Sequence, residues 1–128
     1  MRTTSIALAL AVVAPPSAGF AITPLQSFTD NCSACHQPDG KGIPGAFPAL
    51  AGDPFVVGPA ANPIGVVLNG RGGMPTFKAD LTDEQIAAAL THVRSSWGNN
   101  APAVTPEEVA KLRSGDQPVP DKKPIQAH

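Results

Sequence analysis

Cys32-Ser33-Ala34-Cys35-His36 is the stretch that decides the fold, because it holds both cysteines and one of the three histidines of the 128-residue chain. The spacing C-x-x-C-H is typical of covalent c-type haem attachment. On one helical turn, the two thiols can reach the two vinyl groups on one edge of a porphyrin. The histidine that follows can then place its imidazole under the iron. The stretch therefore predicts one haem c, bound through Cys32 and Cys35, with His36 as an iron ligand.

Three other interpretations of this stretch compete with haem. A disulfide would close a loop with only two intervening residues, which gains little from chain entropy. A thioredoxin-like redox pair expects a βαβ context, and the sequence has no such pattern. A four-ligand zinc site needs two more ligands, and only His92 and His128 remain. The histidine of the motif and the export signal described below favour haem.

A second iron ligand is predicted at Met74, within residues 69–75 (NGRGGMP). The glycines allow the backbone to bring a side chain close to a flat cofactor, and Pro75 biases Met74 toward an extended backbone. A lone methionine is more often a core gap-filler, but a thioether paired with histidine is a known haem ligand set. His92 is the rival ligand, and it is expected at the surface, solvent-facing or half-buried, because it lies off the apolar stripe of its helix. His128 ranks last.

Residues 1–21 have the pattern of a secretory signal. Arg2 precedes an apolar run at residues 6–14, and small residues follow it. Cleavage is expected after Ala21, with Ala18 as the alternative. The apolar run has about half of the roughly 20 residues that span a bilayer, so an uncleaved anchor is the weaker alternative. Cleavage would leave 107 residues with net charge −2 and Met74 as the only methionine.

The composition bounds the fold and the class of partner. Nine Lys and Arg residues against ten Asp and Glu residues give a formal net charge of −1, which argues against a nucleic-acid partner. A hydrophobic content of 42% argues against a disordered chain. Fifteen prolines, twelve glycines and no alternating strand pattern predict an all-α, loop-rich domain with a few short helices at residues 22–115. Residues 116–128 form a polar, proline-rich tail that is expected to be disordered.

Two shorter helices are predicted in the first half of this domain. One covers residues 24–37 and begins at Pro24. The other has Asn62 as its N-cap, Pro63 at its first position and Gly70 at its end. Residues 38–59 between them are rich in proline and glycine and show no helical or strand period, so they are predicted to be a loop.

Two helices with capping boxes are predicted in the second half. The first covers residues 83–97, with Thr82 and Gln85 as its box and Gly98 as its stop. Its apolar stripe consists of Ile86, Leu90, Val93 and Trp97. The second repeats the pattern with Thr105 and Glu108 and stops at Gly115.

Over residues 25–114 the chain resembles the class I c-type cytochromes of bacterial periplasms. The strings Gly-Arg-Gly-Gly-Met-Pro, Val-Arg-Ser-Ser-Trp-Gly-Asn and Val-Thr-Pro-Glu-Glu-Val are similar to those of a narrower group. That group comprises the cytochrome subunits or domains of periplasmic alcohol, gluconate and aldehyde dehydrogenases.

The resemblance implies roles for individual residues. Cys32 and Cys35 would form thioethers, with His36 as the proximal and Met74 as the distal iron ligand. The Pro48 carbonyl would accept a hydrogen bond from His36 Nδ1 and so fix the ring. Among the other matched positions, Leu50 would pack on the haem.

The resemblance also places Phe28 and the helix at residues 83–97 where the first and last core helices cross. Leu25 stands where many members have a glycine at this contact, which bears on the distance between the helices. His92 replaces a frequent tyrosine and adds a titratable group.

The implied function is that of a soluble periplasmic mono-haem electron carrier, not an enzyme. It would move single electrons from a dehydrogenase to a respiratory acceptor, such as an oxidase or another cytochrome, by transient docking or as a subunit. Lys41, Arg71 and Lys78 form either a docking patch or ordinary solvated charges. The alternative is a haem enzyme, a peroxidase or sulfur-compound oxidoreductase, with an open or displaceable sixth position. A structural subunit with an incidental haem ranks third.

Overall fold

The computed structural model describes residues 21–115. Within this range the only β pairing consists of the isolated bridges Ile43↔Phe47 and Arg71↔Met74, so the predicted all-α, loop-rich fold is confirmed. The helices are α1 (Pro24–Asn31), α2 (Ser33–His36), α3 (Pro54–Val57), α4 (Ala61–Asn69), α5 (Asp83–Ser95) and α6 (Pro106–Ser114). None of them is long and apolar enough to cross a membrane. The predicted tail and nearly all of the predicted signal lie outside the described residues.

Three of the helices begin with a short polar residue followed by proline. Thr23, Asp53 and Thr105 each accept a hydrogen bond from a backbone N–H of the first turn of α1, α3 and α6. Such a side chain satisfies one of the otherwise unpaired N–H groups, and the proline at the first helical position has no N–H to satisfy. The prediction of a continuous loop over residues 38–59 was therefore wrong at α3, where Asp53 and Pro54 give the same start signal.

Two predicted boundaries in the first half of the domain were also wrong. The helix predicted over residues 24–37 is broken at Cys32, whose backbone (φ −126°, ψ −32°) separates α1 from α2. Helix α4 begins at Ala61 after Ala60, without an N-cap side chain at Asn62. Pro63 is accommodated inside the first turn because the first four N–H groups of a helix have no partner within it.

Both capping boxes are present, at Thr82 of α5 and at Thr105 of α6. Helix α5 ends at Ser95, two residues earlier than its apolar stripe predicts. Ser96 is extended, and Trp97 has a φ of 55°. The Asn99 N–H donates to the Ser96 carbonyl over 2.8 Å, so a tight turn replaces the last predicted turn of helix.

The helices enclose two neighbouring apolar clusters. The first lies between α4, α5 and α6 and comprises Ile64, Leu68, Ile86, Ala87, Leu90, Val104 and Val109. The second comprises Phe28, Val56 and Val93, with Cys32, Leu50 and Trp97 packed against it. Helix α5 contributes to both clusters, and the second one lies beside the first cysteine of the C-x-x-C-H stretch.

The crossing of α1 and α5 uses a different residue from the one expected. Leu25 is 59% exposed, so the expectation that it lies at the helix contact was wrong. Ser27 is fully buried there, and its hydroxyl donates to the Gln85 carbonyl over 2.6 Å. Ser27 is therefore the small residue at this contact, and Phe28 beside it belongs to the second cluster.

Arg94 of α5 is buried, with 3% of its surface exposed. Its Nε donates to the Pro102 carbonyl over 3.0 Å, and its Nη1 donates to the carbonyls of Val56 and Gly58 over 2.6 and 2.8 Å. Among residues 21–115 the only ion pair is Arg113–Asp83, so the charge of Arg94 is balanced by carbonyl dipoles. Arg94 thereby ties α5 to the end of α3 and to the segment before α6.

We predict that Arg94→Met lowers the free energy of unfolding by about 3 kcal/mol, because it leaves three carbonyls without a donor in a buried region. Arg113→Met is the matched control, since Arg113 also makes three hydrogen bonds, to Asp83, Lys78 and Leu81. Those bonds are partly exposed, so this change should cost about 1 kcal/mol or less. Chemical denaturation of the purified protein measures both values, and equal costs would contradict the prediction.

Candidate functional site

The two cysteines lie on one helical turn but in different surroundings. Cys32, between α1 and α2, is half-buried, whereas Cys35 in α2 is exposed, and both are free thiols. Burial, with a smaller contribution from Cys35, raises the pKa of Cys32 to about 11. Among residues 21–115 there is no group of three or more His, Cys, Asp or Glu side chains that could hold a metal ion.

His36 ends α2 and is 8% exposed. Its Nδ1 lies 3.0 Å from the Pro48 carbonyl oxygen. A carbonyl can only accept a hydrogen bond, so this contact requires the proton to be on Nδ1. Nε2 of the neutral ring then keeps a lone pair, which is the form of imidazole that binds a metal.

The loop at residues 37–52 brings the Pro48 carbonyl to the imidazole. The Gly42 N–H donates to the His36 carbonyl over 2.9 Å. A Cβ added at Gly42, whose φ is +61°, would lie 2.3 Å from the Phe47 oxygen and 2.6 Å from the Pro48 oxygen. Only glycine fits so close to these two oxygens, so a glycine is required at position 42 for the Pro48 carbonyl to reach His36.

The turn after α5 holds this loop at two places that the sequence reasoning did not identify. The Trp97 Nε1–H donates to the Pro38 carbonyl over 3.0 Å. The Trp97 ring also occupies the space where a Cβ of Gly40 would lie, 2.3 Å from that position. Asn99 is buried and bonds to the far end of the loop. Trp97 and Asn99 belong to one of the strings that resemble the cytochromes, which was the only signal for Asn99, whereas Trp97 was also predicted as the end of the apolar stripe.

Met74 lies in a second loop, which is tied to the end of α4. Arg71 and Met74 exchange two backbone hydrogen bonds of 3.0 and 2.9 Å across Gly72 and Gly73. The Thr76 hydroxyl donates to the Leu68 carbonyl. These bonds hold the Met74 backbone in a tight turn, and its side chain is half-buried.

The structure brings some predicted site residues together and leaves others apart. Cys32 and Leu50 pack against the same apolar cluster, and His36 is bonded to Pro48. No hydrogen bond within residues 21–115 joins Met74 to this group. Of the three basic residues on the loops, Lys41 and Lys78 are exposed, and the Arg71 guanidinium lies over the Phe55 ring, 5.1 Å from its centroid.

His92 is half-buried, one of the two positions expected for it. Its ring centroid lies 5.0 Å from that of Phe28 and 5.4 Å from that of Trp97, and the Ser96 hydroxyl is 3.3 Å from its Nδ1. Burial lowers the pKa of His92. His92 therefore has a packing role on α5, where its ring contacts the rings of Phe28 and Trp97.

Comparison with known proteins identifies the family. The family model described as cytochrome c oxidase, cbb3-type, subunit III matches residues 23–93. The chain is 39% identical over 103 residues to cytochrome c-552 of Thermus thermophilus, covering 65% of this chain and 79% of the relative. The chain belongs to the cytochrome c family.

Two larger relatives are also similar. The cytochrome c subunit of alcohol dehydrogenase (quinone) from Gluconacetobacter polyoxogenes is 37% identical over 108 residues, covering 73% of this chain and 23% of that subunit. The gluconate 2-dehydrogenase cytochrome c subunit of Pantoea cypripedii is 35% identical over 118 residues, covering 79% and 24%. The chain therefore spans about a quarter of the length of these subunits.

We predict that the protein loses stability as the pH falls below about 6.5, the ordinary pKa of histidine. The fold disfavours protonated His92, so the unfolded chain binds the proton more tightly and gains stability as it protonates. Above this pH His92 is neutral in both the folded and the unfolded chain, so the folded protein keeps its full stability. His92→Phe should flatten the dependence of the melting temperature on pH between pH 7.5 and 5.5, above the titration of most carboxylates. An unchanged slope in His92→Phe would show that another group is responsible.

Proposed function

We propose that this protein is a periplasmic mono-haem c-type cytochrome that carries single electrons between a dehydrogenase and a respiratory acceptor, with His36 and Met74 as iron ligands. The observation that carries the proposal is the imidazole of His36. It is held by the Pro48 carbonyl at Nδ1, immediately after two free cysteines on one helical turn. Membership of the cytochrome c family supports the cofactor.

The residues present fit a covalently bound haem. Cys32 and Cys35 would provide the thioethers, and His36 Nε2 has the lone pair that an iron ligand needs. Ile43 and Phe47, on the loop that carries Pro48, are 42% and 38% exposed, although large apolar side chains are mostly buried in small domains. A porphyrin face would cover such side chains. Leu50, packed beside Cys32, would extend the apolar contact.

Bound haem supplies an iron that alternates between two oxidation states. The chain holds the ligands so that little has to move between those states. His36 is fixed by Pro48, and Gly42 gives that carbonyl its access. The Met74 backbone is fixed by its pairing with Arg71. With His36 and Met74 as its ligands, the iron would have no open position for a small molecule, and the thioether of Met74 would raise the potential relative to two histidines.

A dehydrogenase is the proposed electron donor, because cytochrome c subunits of alcohol and gluconate dehydrogenases are among the relatives. Exposed Lys41 and Lys78 would contribute to a transient docking contact. Export through the predicted signal would place the protein in the periplasm.

The first test is the near-infrared spectrum of the oxidised protein, produced in a host that attaches haem in the periplasm. A methionine–iron charge-transfer band is expected if Met74 is the second ligand. Haem without this band would contradict the ligand assignment and would favour an enzyme with an open or histidine-ligated sixth position.

Met74→Ala should abolish the near-infrared band, allow carbon monoxide to bind the reduced iron, and lower the midpoint potential. Arg71→Ala is the matched control, since Arg71 belongs to the same turn while its side chain packs on Phe55. This control should keep the band and exclude carbon monoxide. If Met74→Ala retains the parent spectrum, Met74 is not the ligand.

Cys35→Ala should leave at most one thioether and reduce the yield of haem-loaded protein. Ser33→Ala is the control, because Ser33 lies between the cysteines and its exposed hydroxyl bonds only to the Thr29 carbonyl. Intact mass after acid-acetone extraction measures the covalent haem. Equal amounts of covalently bound haem in Cys35→Ala and in the parent would contradict covalent attachment through Cys35.

A further inference from the structure

We infer that Asn99 is a positioning residue for the iron ligand: its side chain holds the loop that presents the Pro48 carbonyl, and through it sets the His36 imidazole. This inference rests on the proposed haem function but concerns a residue outside the C-x-x-C-H motif and outside the predicted iron ligands. Asn99 lies beyond α5, 63 residues after His36 in the sequence.

Asn99 uses both ends of its amide on the loop. Its Oδ1 accepts from the Gly52 N–H over 2.8 Å, and its Nδ2 donates to the Leu50 carbonyl over 3.1 Å. Nδ2 also donates to the Val93 carbonyl over 2.8 Å, which anchors the amide to α5. Asn99 is only 7% exposed, so water cannot readily replace these partners.

The clamped residues lie next to the carbonyl that His36 needs. Leu50 follows Pro48 by two residues, and its N–H donates to the Gly40 carbonyl over 2.7 Å. The Trp97 ring packs against Gly40, and its Nε1–H donates to the Pro38 carbonyl. The loop is thus fixed at its beginning by Trp97 and at its end by Asn99, and the Pro48 carbonyl lies between these two points.

The amide is the one neutral side-chain group that provides two donors and an acceptor in this geometry. Aspartate has no N–H to donate to the two carbonyls, and leucine has neither donor nor acceptor. Loss of the clamp would free the segment at Leu50 and Gly52 and weaken the bond at Pro48. A weaker bond makes the imidazole a less basic ligand, which stabilises ferric iron less and raises the midpoint potential.

The test compares Asn99→Leu with Thr91→Val in the haem-loaded protein. Thr91 is the matched control, because its hydroxyl also bridges a backbone N–H and a carbonyl, both of Val104, away from this loop. Both changes remove side-chain hydrogen bonds near α5 and should lower stability. Only Asn99→Leu should act on His36.

Two readouts are specific to the ligand. The first is solvent exchange of the His36 Nδ1 proton in the reduced protein, followed by ¹H–¹⁵N NMR, and the second is the midpoint potential. In Asn99→Leu we expect exchange to be about tenfold faster, as the loss of one net hydrogen bond implies, and the potential to be higher. Thr91→Val should change neither, which separates the effect from a general loss of stability.

The inference would be overturned if folded Asn99→Leu had the same Nδ1 exchange rate and midpoint potential as the parent. It would also be overturned if Thr91→Val changed both quantities as much as Asn99→Leu does. If Asn99→Leu does not fold, Asn99→Asp decides by the exchange of the His36 Nδ1 proton, since it keeps the shape of the side chain and the acceptor for Gly52 but lacks the two donors. A chain that carries no haem would contradict the proposed function. The exchange of the Nδ1 proton does not require haem, so in that chain it would still show whether Asn99 holds the Pro48 carbonyl against His36.

Discussion

The constraint on which the candidate site depends is the hydrogen bond of the buried His36 imidazole, whose Nδ1 is held by a backbone carbonyl 12 residues away, at Pro48. A carbonyl is available at any position, but the chain must return to the ring with the right orientation. The loop that does so has no regular structure of its own, and holding it in one conformation costs entropy. The contacts that offset this cost come from distant parts of the chain. They involve Gly42, which leaves room for the Pro48 carbonyl, the ring of Trp97, and the amide of Asn99.

Helix α5 is the element on which these contacts depend. One part of its surface packs in the cluster with α4 and α6, and Val93 packs in the cluster beside Cys32. Its last residues and the turn beyond them then reach the loop. The buried Arg94 adds three hydrogen bonds to carbonyls that have no other charged partner in the described part of the chain. The same helix therefore joins the stability of the domain to the geometry of the candidate site.

Much of the helical structure follows from local sequence, because helix starts depend on residues within one turn. The boxes at Thr82 and Thr105 and the stop at Gly115 were predicted in this way and are present. The same local rule, applied to Asp53 and Pro54, would have identified α3. The helix ends were predicted less well. The apolar stripe of α5 continues to Trp97, but the helix does not, since Trp97 reaches the cluster through a turn with positive φ.

In the candidate site, too, the features that depend on local sequence could be predicted, and those that depend on distant contacts could not. The spacing of Cys32, Cys35 and His36 is local and could be interpreted directly. The hydrogen bond to Pro48 was expected only through resemblance, because no local period indicates which carbonyl of a proline-rich loop faces the ring. Asn99 was not assigned a role at all. Its partners at Leu50 and Gly52 are 49 and 47 residues away, and a lone polar residue after a helix is usually part of a turn. Only burial together with three satisfied hydrogen bonds distinguishes a clamp from a turn residue, and those properties exist only in the folded chain.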